Sequence, residues 1–267
     1  MIKDITIGQY IPGDSFVHKL DPRVKIIISL IYMIDLFIVN NFKGYIFIVL
    51  FTLAAILISQ IKFKYIYKGL KPILILVIIT AVLNLFLTPG DTLLFKWKFI
   101  TIYKEGLRLA IFMVLRLVFL IIGTSLLTLT TSPIELTDGI EKLLNPLRKI
   151  GVPAHELAMM MTIALRFIPT LMDETDKIMK AQMARGADFE SGNLIQRAKN
   201  LIPLLVPLFI SSFRRADELA MAMEARCYRG GEGRTRMKEL SLSSRDFVAA
   251  AFTSILVILS IWSRMWT

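Results

Sequence analysis

The sequence predicts an all-α integral membrane protein of about five transmembrane helices, with a helical cytoplasmic segment between the last two. Three observations carry that reading. Hydrophobic residues fill 55% of the 267 positions and the mean hydropathy is +0.63, too apolar for a water-soluble domain. Those residues gather in five runs of 17 to 24, the length a helix needs to cross a hydrocarbon core of about 30 Å at about 1.5 Å per residue. Basic residues lie mostly between the runs, so retention in cytoplasmic loops accounts for the net charge of +11 without invoking nucleic acid.

Taken in order, residues 1–23 are a mixed, polar cytoplasmic segment. Pro12, Gly13 and Asp14 interrupt it, and apolar character starts only after Arg23 and Lys25. No cleavable signal is expected there, and the first span serves as its own insertion signal. The apolar runs cover 24–40, 44–60, 70–88, 107–130 and 246–264, the first four forming a transmembrane region over 24–130. Lys19, Arg23 and Lys25 precede the first run, and Lys62, Lys64, Lys68 and Lys71 separate the second from the third. The loop between the first two has only Lys43, so the N-terminus and the second loop are expected inside. The loop at 89–106 then falls outside, although Lys96, Lys98 and Lys104 outnumber Asp91 and Glu105. Residues 246–267, the last span and a short tail, end outside.

The inside segment, 131–245, holds 17 Lys or Arg and 14 Asp or Glu, yet keeps helical patterning in three stretches. Ser132 and Pro133 supply an N-cap and a first-turn residue for an amphipathic helix over 133–149, running towards Gly151. Pro153 opens a second helix that runs to about Arg185 and is stopped by Gly186. A third runs from Leu194 to Arg226, with Gly230 and Gly231 beyond. Leu201–Phe213 is apolar but only 13 residues long, interrupted by Pro203 and Pro207 and flanked by Arg197, Lys199, Arg214 and Arg215. It reads as interfacial or packed under the bundle, as does Leu157–Ile168. An extra pair of spans here is the main alternative topology.

Residues for catalysis are missing from the sequence pattern. Cys227 is the one cysteine, and with two histidines neither a disulfide, a metal site nor a cofactor is expected. His155-Glu156 lacks the second histidine of HExxH, and Gly230-Gly231-Glu232-Gly233 lacks the spacing and Lys-Ser/Thr of a phosphate loop. Asp173, Glu174 and Asp176 read as a solvated face. An ATP-driven role therefore needs another subunit to bind the nucleotide. What stands out is a pair of helix endings, IMKAQMARG at 178–186 and LAMAMEARC at 219–227, whose arginines are 41 residues apart. Alanines allow close helix approach, methionines give a pliable apolar surface, and a terminal Arg can fork onto a carboxylate or carbonyls in a partner's groove. A cation at a helix C-terminus also offsets the macrodipole, and on the residues alone both readings stand.

Three polar residues fall inside apolar runs: Asp35 in the first, Asn84 in the third and Arg116 midway along the fourth. Charge at the bilayer centre is expensive, so Asp35 and Arg116 should face protein or water and are expected to pair. Such a pair suits either a bridge between helices or a transport pathway. The pathway reading would make the chain a self-sufficient secondary transporter, which needs an internal repeat with broken spans that the sequence lacks.

Three stretches resemble the transmembrane T component of energy-coupling factor (ECF) transporters. His18-Lys19-Leu20-Asp21-Pro22-Arg23-Val24-Lys25 looks like the family's H-x-L-D-P-R-x-K approach to the first span. Thr131-Ser132-Pro133 to Leu143, with Arg166-Phe167-Ile168-Pro169, is similar to the segment after the fourth span. Ala184-Arg185-Gly186 and Ala225-Arg226-Cys227 resemble the two Ala-Arg-Gly motifs that end the family's long, crossing coupling helices, with Cys227 where Gly is usual. The resemblance implies a prokaryotic cell membrane and a coupling domain at 131–245 that has no catalytic residues of its own. It implies as partners two ATP-binding-cassette ATPases, one docked at each arginine, and a membrane-embedded substrate-binding S component. Pro203, Leu204, Pro207 and Leu208 would belong to the platform receiving that S component, and the cargo would be a vitamin or a metal ion.

Overall fold

The computed structural model of the chain describes residues 10–97, 100–189, 191, 193–231 and 239–265; Lys98, Glu232 and Gly233, cited above, lie outside them. The described chain forms two compact units, one of residues 8–139 with 240–267 and the other within 140–239.

In the first unit, helix α1 (Pro22–Ile38) begins where Asp21 caps it, accepting the Arg23 N–H at 2.9 Å with Pro22 in the first turn. Helix α2 (Phe42–Ser59) follows, ended by Gln60 in the left-handed region at φ 57°. The third apolar run is not one straight span. Helix α3 (Phe63–Leu70) meets helix α4 (Leu74–Leu87) at 58° across Lys71-Pro72-Ile73, because Pro72 has no N–H to carry the helical ladder through. With Phe63 and Tyr67 exposed beside Lys64 and Lys68, α3 has the make-up of an interfacial helix. The loop at 89–106 contains an antiparallel pair, β1 (Leu93–Trp97) with β2 (Ile100–Tyr103), bulged between Leu93 and Phe95. Helix α5 (Lys104–Thr130) is the longest of this unit, and α6 (Pro133–Leu144) follows behind a reciprocal cap in which Ser132 Oγ accepts the Glu135 N–H at 3.3 Å and Glu135 accepts the Ser132 N–H at 3.5 Å.

Helices α2, α5 and helix α10 (Ser244–Met265) are each long and apolar enough to cross a bilayer, with the bent α3–α4 pair as a fourth candidate. At 17 residues, α1 sits at the lower limit of a spanning length of roughly 17–25. Tyr32, Leu36, Val39, Tyr45, Ile48, Phe112 and Leu256 form the core shared by α1, α2, α5 and α10. The outward faces carry Leu57, Ile75 and Leu87, as expected where lipid takes the place of water.

In the second unit, the helix expected over 133–149 ends at Leu144. Pro146 diverts it into a 3₁₀ turn over Asn145–Ile150, closed by Gly151 at φ 91°. Helix α7 (Ala154–Ala184) contains Pro169. The expected third helix is two: α8 (Leu194–Asn200) and α9 (Ile202–Ala225), broken at Leu201 because Pro203 offers no donor to the preceding turn.

Candidate functional site

The site is built on α7 and α9. Contacts between them step backwards along α9 as they step forwards along α7. Met159 Sδ accepts from Tyr228 Oη at 3.1 Å, Glu174 meets Ser211 and Arg215, and Gln182 Nε2 donates to Pro203 O at 3.4 Å. The helices therefore form an antiparallel pair along nearly their whole length. Arg185 lies at one end of the pair and Arg226 at the other, on the order of 40 Å apart at the helical rise.

Both ends are made the same way. After Ala184, the Gly186 N–H bonds Met183 O and the Ala187 N–H bonds Gln182 O, each at 3.0 Å. After Ala225, the Cys227 N–H bonds Glu224 O at 2.9 Å and the Tyr228 N–H bonds Met223 O at 3.0 Å. These are two Schellman terminations, each with its third-last helical carbonyl taken two residues beyond the cap. The left-handed position is filled by Gly186 at φ 88° in one and by Cys227 at φ 56° in the other. In each the arginine is the C-cap residue. Both arginines are exposed, as are Ala184, Gly186, Ala225 and Cys227, and among the described residues neither guanidinium has a hydrogen-bond or ion-pair partner.

One reading of the sequence needs correction here. Glu174 does not belong to a solvated face. It accepts from Ser211 Oγ and, at 2.8 Å, from the Arg215 guanidinium, clamping α7 to α9. The Ser211 hydrogen bond, then the Arg215 charge, hold its carboxyl below the ordinary value. The four residues expected at an S-component platform differ in exposure. Leu204 is buried and Pro207 and Leu208 are half-buried, leaving only Pro203 of that set exposed. The exposed apolar stripe of α9 consists of Ile202, Leu205, Val206, Phe209, Ile210 and Phe213, one turn-by-turn face at helical spacing.

Residues 13–237 match the family described as cobalt transport protein, CbiQ. The chain is 80% identical over 267 residues to the energy-coupling factor transporter transmembrane protein EcfT of Clostridium kluyveri, covering all of this chain and 99% of that one. It is 62% identical to the EcfT of Thermosediminibacter oceani over 98% of this chain and 99% of the other. It is 51% identical to that of Bacillus subtilis over 99% and 98%. The chain belongs to the EcfT family of ECF-transporter transmembrane proteins. It is thus a transport subunit of the cell membrane.

The stretch His18–Lys25, which carried part of the EcfT resemblance, is a structural staple. The Asp21 N–H donates to Asp246 Oδ1 at 2.7 Å, tying the start of α1 to the start of α10. Arg23 closes a fork onto both Asp21 oxygens, at 3.0 and 2.7 Å, and reaches Leu240 O. Burial would raise the Asp21 carboxyl, but the Arg23 hydrogen bonds and charge outweigh it and hold it below the ordinary carboxylate value. Lys25 Nζ donates to His18 O and to Thr130 O, both at 3.0 Å, which pins the end of α5. Asp246 is buried; its Oδ2 caps the start of α10 by accepting the Ser243 N–H at 2.7 Å, a local signal, whereas the bond from Asp21 to its Oδ1 comes from 225 residues away.

The intramembrane polar groups of this EcfT-family chain do not pair. Asp35 accepts from Ser260 Oγ at 2.8 Å. Arg116 Nε donates to Leu36 O at 3.2 Å and its Nη2 to Asn40 Oδ1 at 3.1 Å, with the guanidinium 5.0 Å from the Phe37 ring centre. Asn84 spends its Nδ2 on Thr80 O at 2.8 Å within its own helix. The expected Asp35–Arg116 bridge fails because α1 presents its carboxylate to α10 and its C-terminal carbonyls to α5.

Proposed function

We propose that the chain is the non-catalytic coupling subunit of an ECF-type importer. It joins two cytoplasmic ATP-binding-cassette ATPase subunits to a separate membrane-embedded S component that binds the cargo, a vitamin or a metal ion. One observation carries the reading: two like-built helix ends, each with an exposed, unpartnered arginine, lie at opposite ends of one antiparallel helix pair. Offsetting a helix dipole asks only for a cation near the last carbonyls. It does not ask for the same Ala-Arg Schellman ending twice, on two helices that pack together. A guanidinium held on a rigid termination presents a planar fork to a carboxylate or to carbonyls in a partner's groove. Two such forks support docking of two subunits on one bar, so that closure of the ATPases moves both ends of α7 and α9 together. The apolar stripe of α9 from Ile202 to Phe213 is suited to receive the S component. The separate engagements of Asp35 and Arg116 favour structural links over the pathway of a self-sufficient secondary transporter.

The test is co-purification and uptake with Arg185→Glu and Arg226→Glu. Each single variant is expected to insert normally and to lose one docking contact. The double variant should lose ATPase association and transport. A buried Arg anchor at an interface is worth about 2 kcal/mol or more, roughly thirtyfold in affinity. Normal ATPase co-purification and uptake in the double variant would refute the reading.

A further inference from the structure

An apolar cavity of about 470 Å³ lies within the first unit, between α1, α2, α5 and α10. Small side chains from all four helices leave the space open: Ser29, Ala54 and Ala55, Gly123, and Ala249. Small residues in membrane helices ordinarily let backbones close on each other; here they border open space. At Gly123 a Cβ would sit 2.6 Å from Tyr32 Cε1, so the back wall is already at contact distance there. The front is different. Ala54 and Ile58 on α2 and Val248 and Phe252 on α10 line the cavity and are exposed, so it opens sideways between those two helices. The sides it opens between are those of two helices fit to span a bilayer, so the medium at the mouth is hydrocarbon.

The polar atoms of the lining narrow the choice of occupant. The hydroxyls of Ser29, Thr52, Thr130 and Thr253 each donate to a carbonyl of their own helix. Lys25 is the exception. It is 5% exposed and lines the cavity at the α1 N-terminal end, and its ammonium gives two of its three protons to His18 O and Thr130 O. Among the described residues the third proton has no acceptor. A void lined by hydrocarbon forfeits contacts on every wall, and a buried donor left over asks for an oxygen.

We propose that this cleft holds one acyl chain of a membrane glycerophospholipid, entering between α2 and α10, with a head-group oxygen on Lys25 Nζ. Glu135, Asp246 and Asp21 already act on the Lys25 charge, so the leftover N–H at the head end and the apolar walls beyond it match a head-group oxygen on a hydrocarbon tail. The lining runs from Lys25 to Tyr32 on α1, about 10 Å at the helical rise, so it takes the part of a chain nearest the head group. A partner helix, about 10–12 Å across with its side chains, is too thick for the slot.

The test uses the full-length chain in vesicles of phosphatidylglycerol and phosphatidylethanolamine that contain phosphatidylglycerol with a diazirine in one acyl chain. Photolabel is expected on peptides holding Ala54–Ile58 and Val248–Thr253, and also on the open lipid face at Ile75 and Leu87. Ala55→Phe with Ala249→Phe should abolish labelling inside the cleft, at Gly123 and Thr253, while Ile75 and Leu87 label as before. Mass spectrometry of the wild-type chain released from mild detergent should retain one phospholipid, and Lys25→Met should release it. Should the filled variant fail to fold, the wild-type labelling and the retained mass decide alone. Three results overturn the proposal: no label at Gly123 and Thr253 in the wild type, undiminished label there in a folded filled variant, or a retained mass that is a free fatty acid or absent.

Discussion

Cys227 turns the chain with φ 56°, whereas Gly186 does the same work at φ 88°. A side chain in the left-handed region costs about 1–2 kcal/mol through the Cβ–carbonyl contact, and glycine returns roughly 0.4–1 of that by its freedom when unfolded. Cys227→Gly should therefore stabilise the chain by about 0.5–1 kcal/mol, and Gly186→Ala should destabilise it by a similar amount. Thermal melting of the purified variants measures both, and a drop in melting temperature for Cys227→Gly would contradict the assignment. His18 gives a second prediction at this scale. Its Nε2 lies 3.1 Å from Ile11 O and its Nδ1 2.6 Å from Ser15 Oγ, so both ring nitrogens are engaged. Burial pushes its pKa below the ordinary 6.5. A lowered histidine contributes stability above its unfolded pKa and loses it as pH falls through the folded one. The wild-type chain should accordingly lose stability on acidification below pH 6.5, and His18→Gln should flatten that part of the melting-temperature profile.

The clamp at Glu174 belongs to the pair of helices, since each partner comes from a different one. Both side chains are partly exposed, 34% for Arg215 and 21% for Glu174. Solvent screening therefore discounts the 1.5–3 kcal/mol typical of a charged hydrogen bond to about 1 kcal/mol for the pair. A double-mutant cycle of Glu174→Gln and Arg215→Gln should report a coupling of that size. Because the Glu174 carboxyl lies below its ordinary 4.5, the contribution is complete above pH 4.5 and fades only as pH falls below it. A coupling near zero at pH 7 would remove the clamp. Much of this pair was legible in the sequence. The Ala-Arg endings, Gly186 and the Pro153 start are local signals, and each helix stops within a residue or so of the expected place. What sequence periodicity missed was non-local or small. The Glu174 partners lie 37 and 41 residues away. The breaks at Pro72, Pro146 and Leu201 each turn on one missing N–H inside a run that stays apolar or amphipathic on both sides. The inward face of Leu204 and Leu208 was hidden because a stretch apolar all round has no periodicity to say which face packs.

Helix directions in the membrane unit combine into a statement about the whole molecule. Asp21 meets Asp246 and Asp35 meets Ser260, the same offset of 225 residues at both levels, so α1 and α10 run parallel. Tyr32 with Thr52 and Asn41 with Ser263 make α2 antiparallel to both, and Lys25 with Thr130 and Leu36 with Arg116 make α5 antiparallel to α1. Parallel first and last spans require an odd number of crossings between the start of α1 and the end of α10. The bent α3–α4 pair then has to act as one crossing. From the lysines flanking α1 and α3, the start of α1 is expected inside and the end of α10 outside. In a Cys227→Gly background, Arg264→Cys should react with a membrane-impermeant maleimide applied to intact cells, and Lys62→Cys should react only after permeabilisation. Labelling of both positions from outside, or of neither, would mean an even number of crossings. The α3–α4 bend would then be a re-entrant turn, and the proposed docking of Arg185 and Arg226 would need a different assignment of sides.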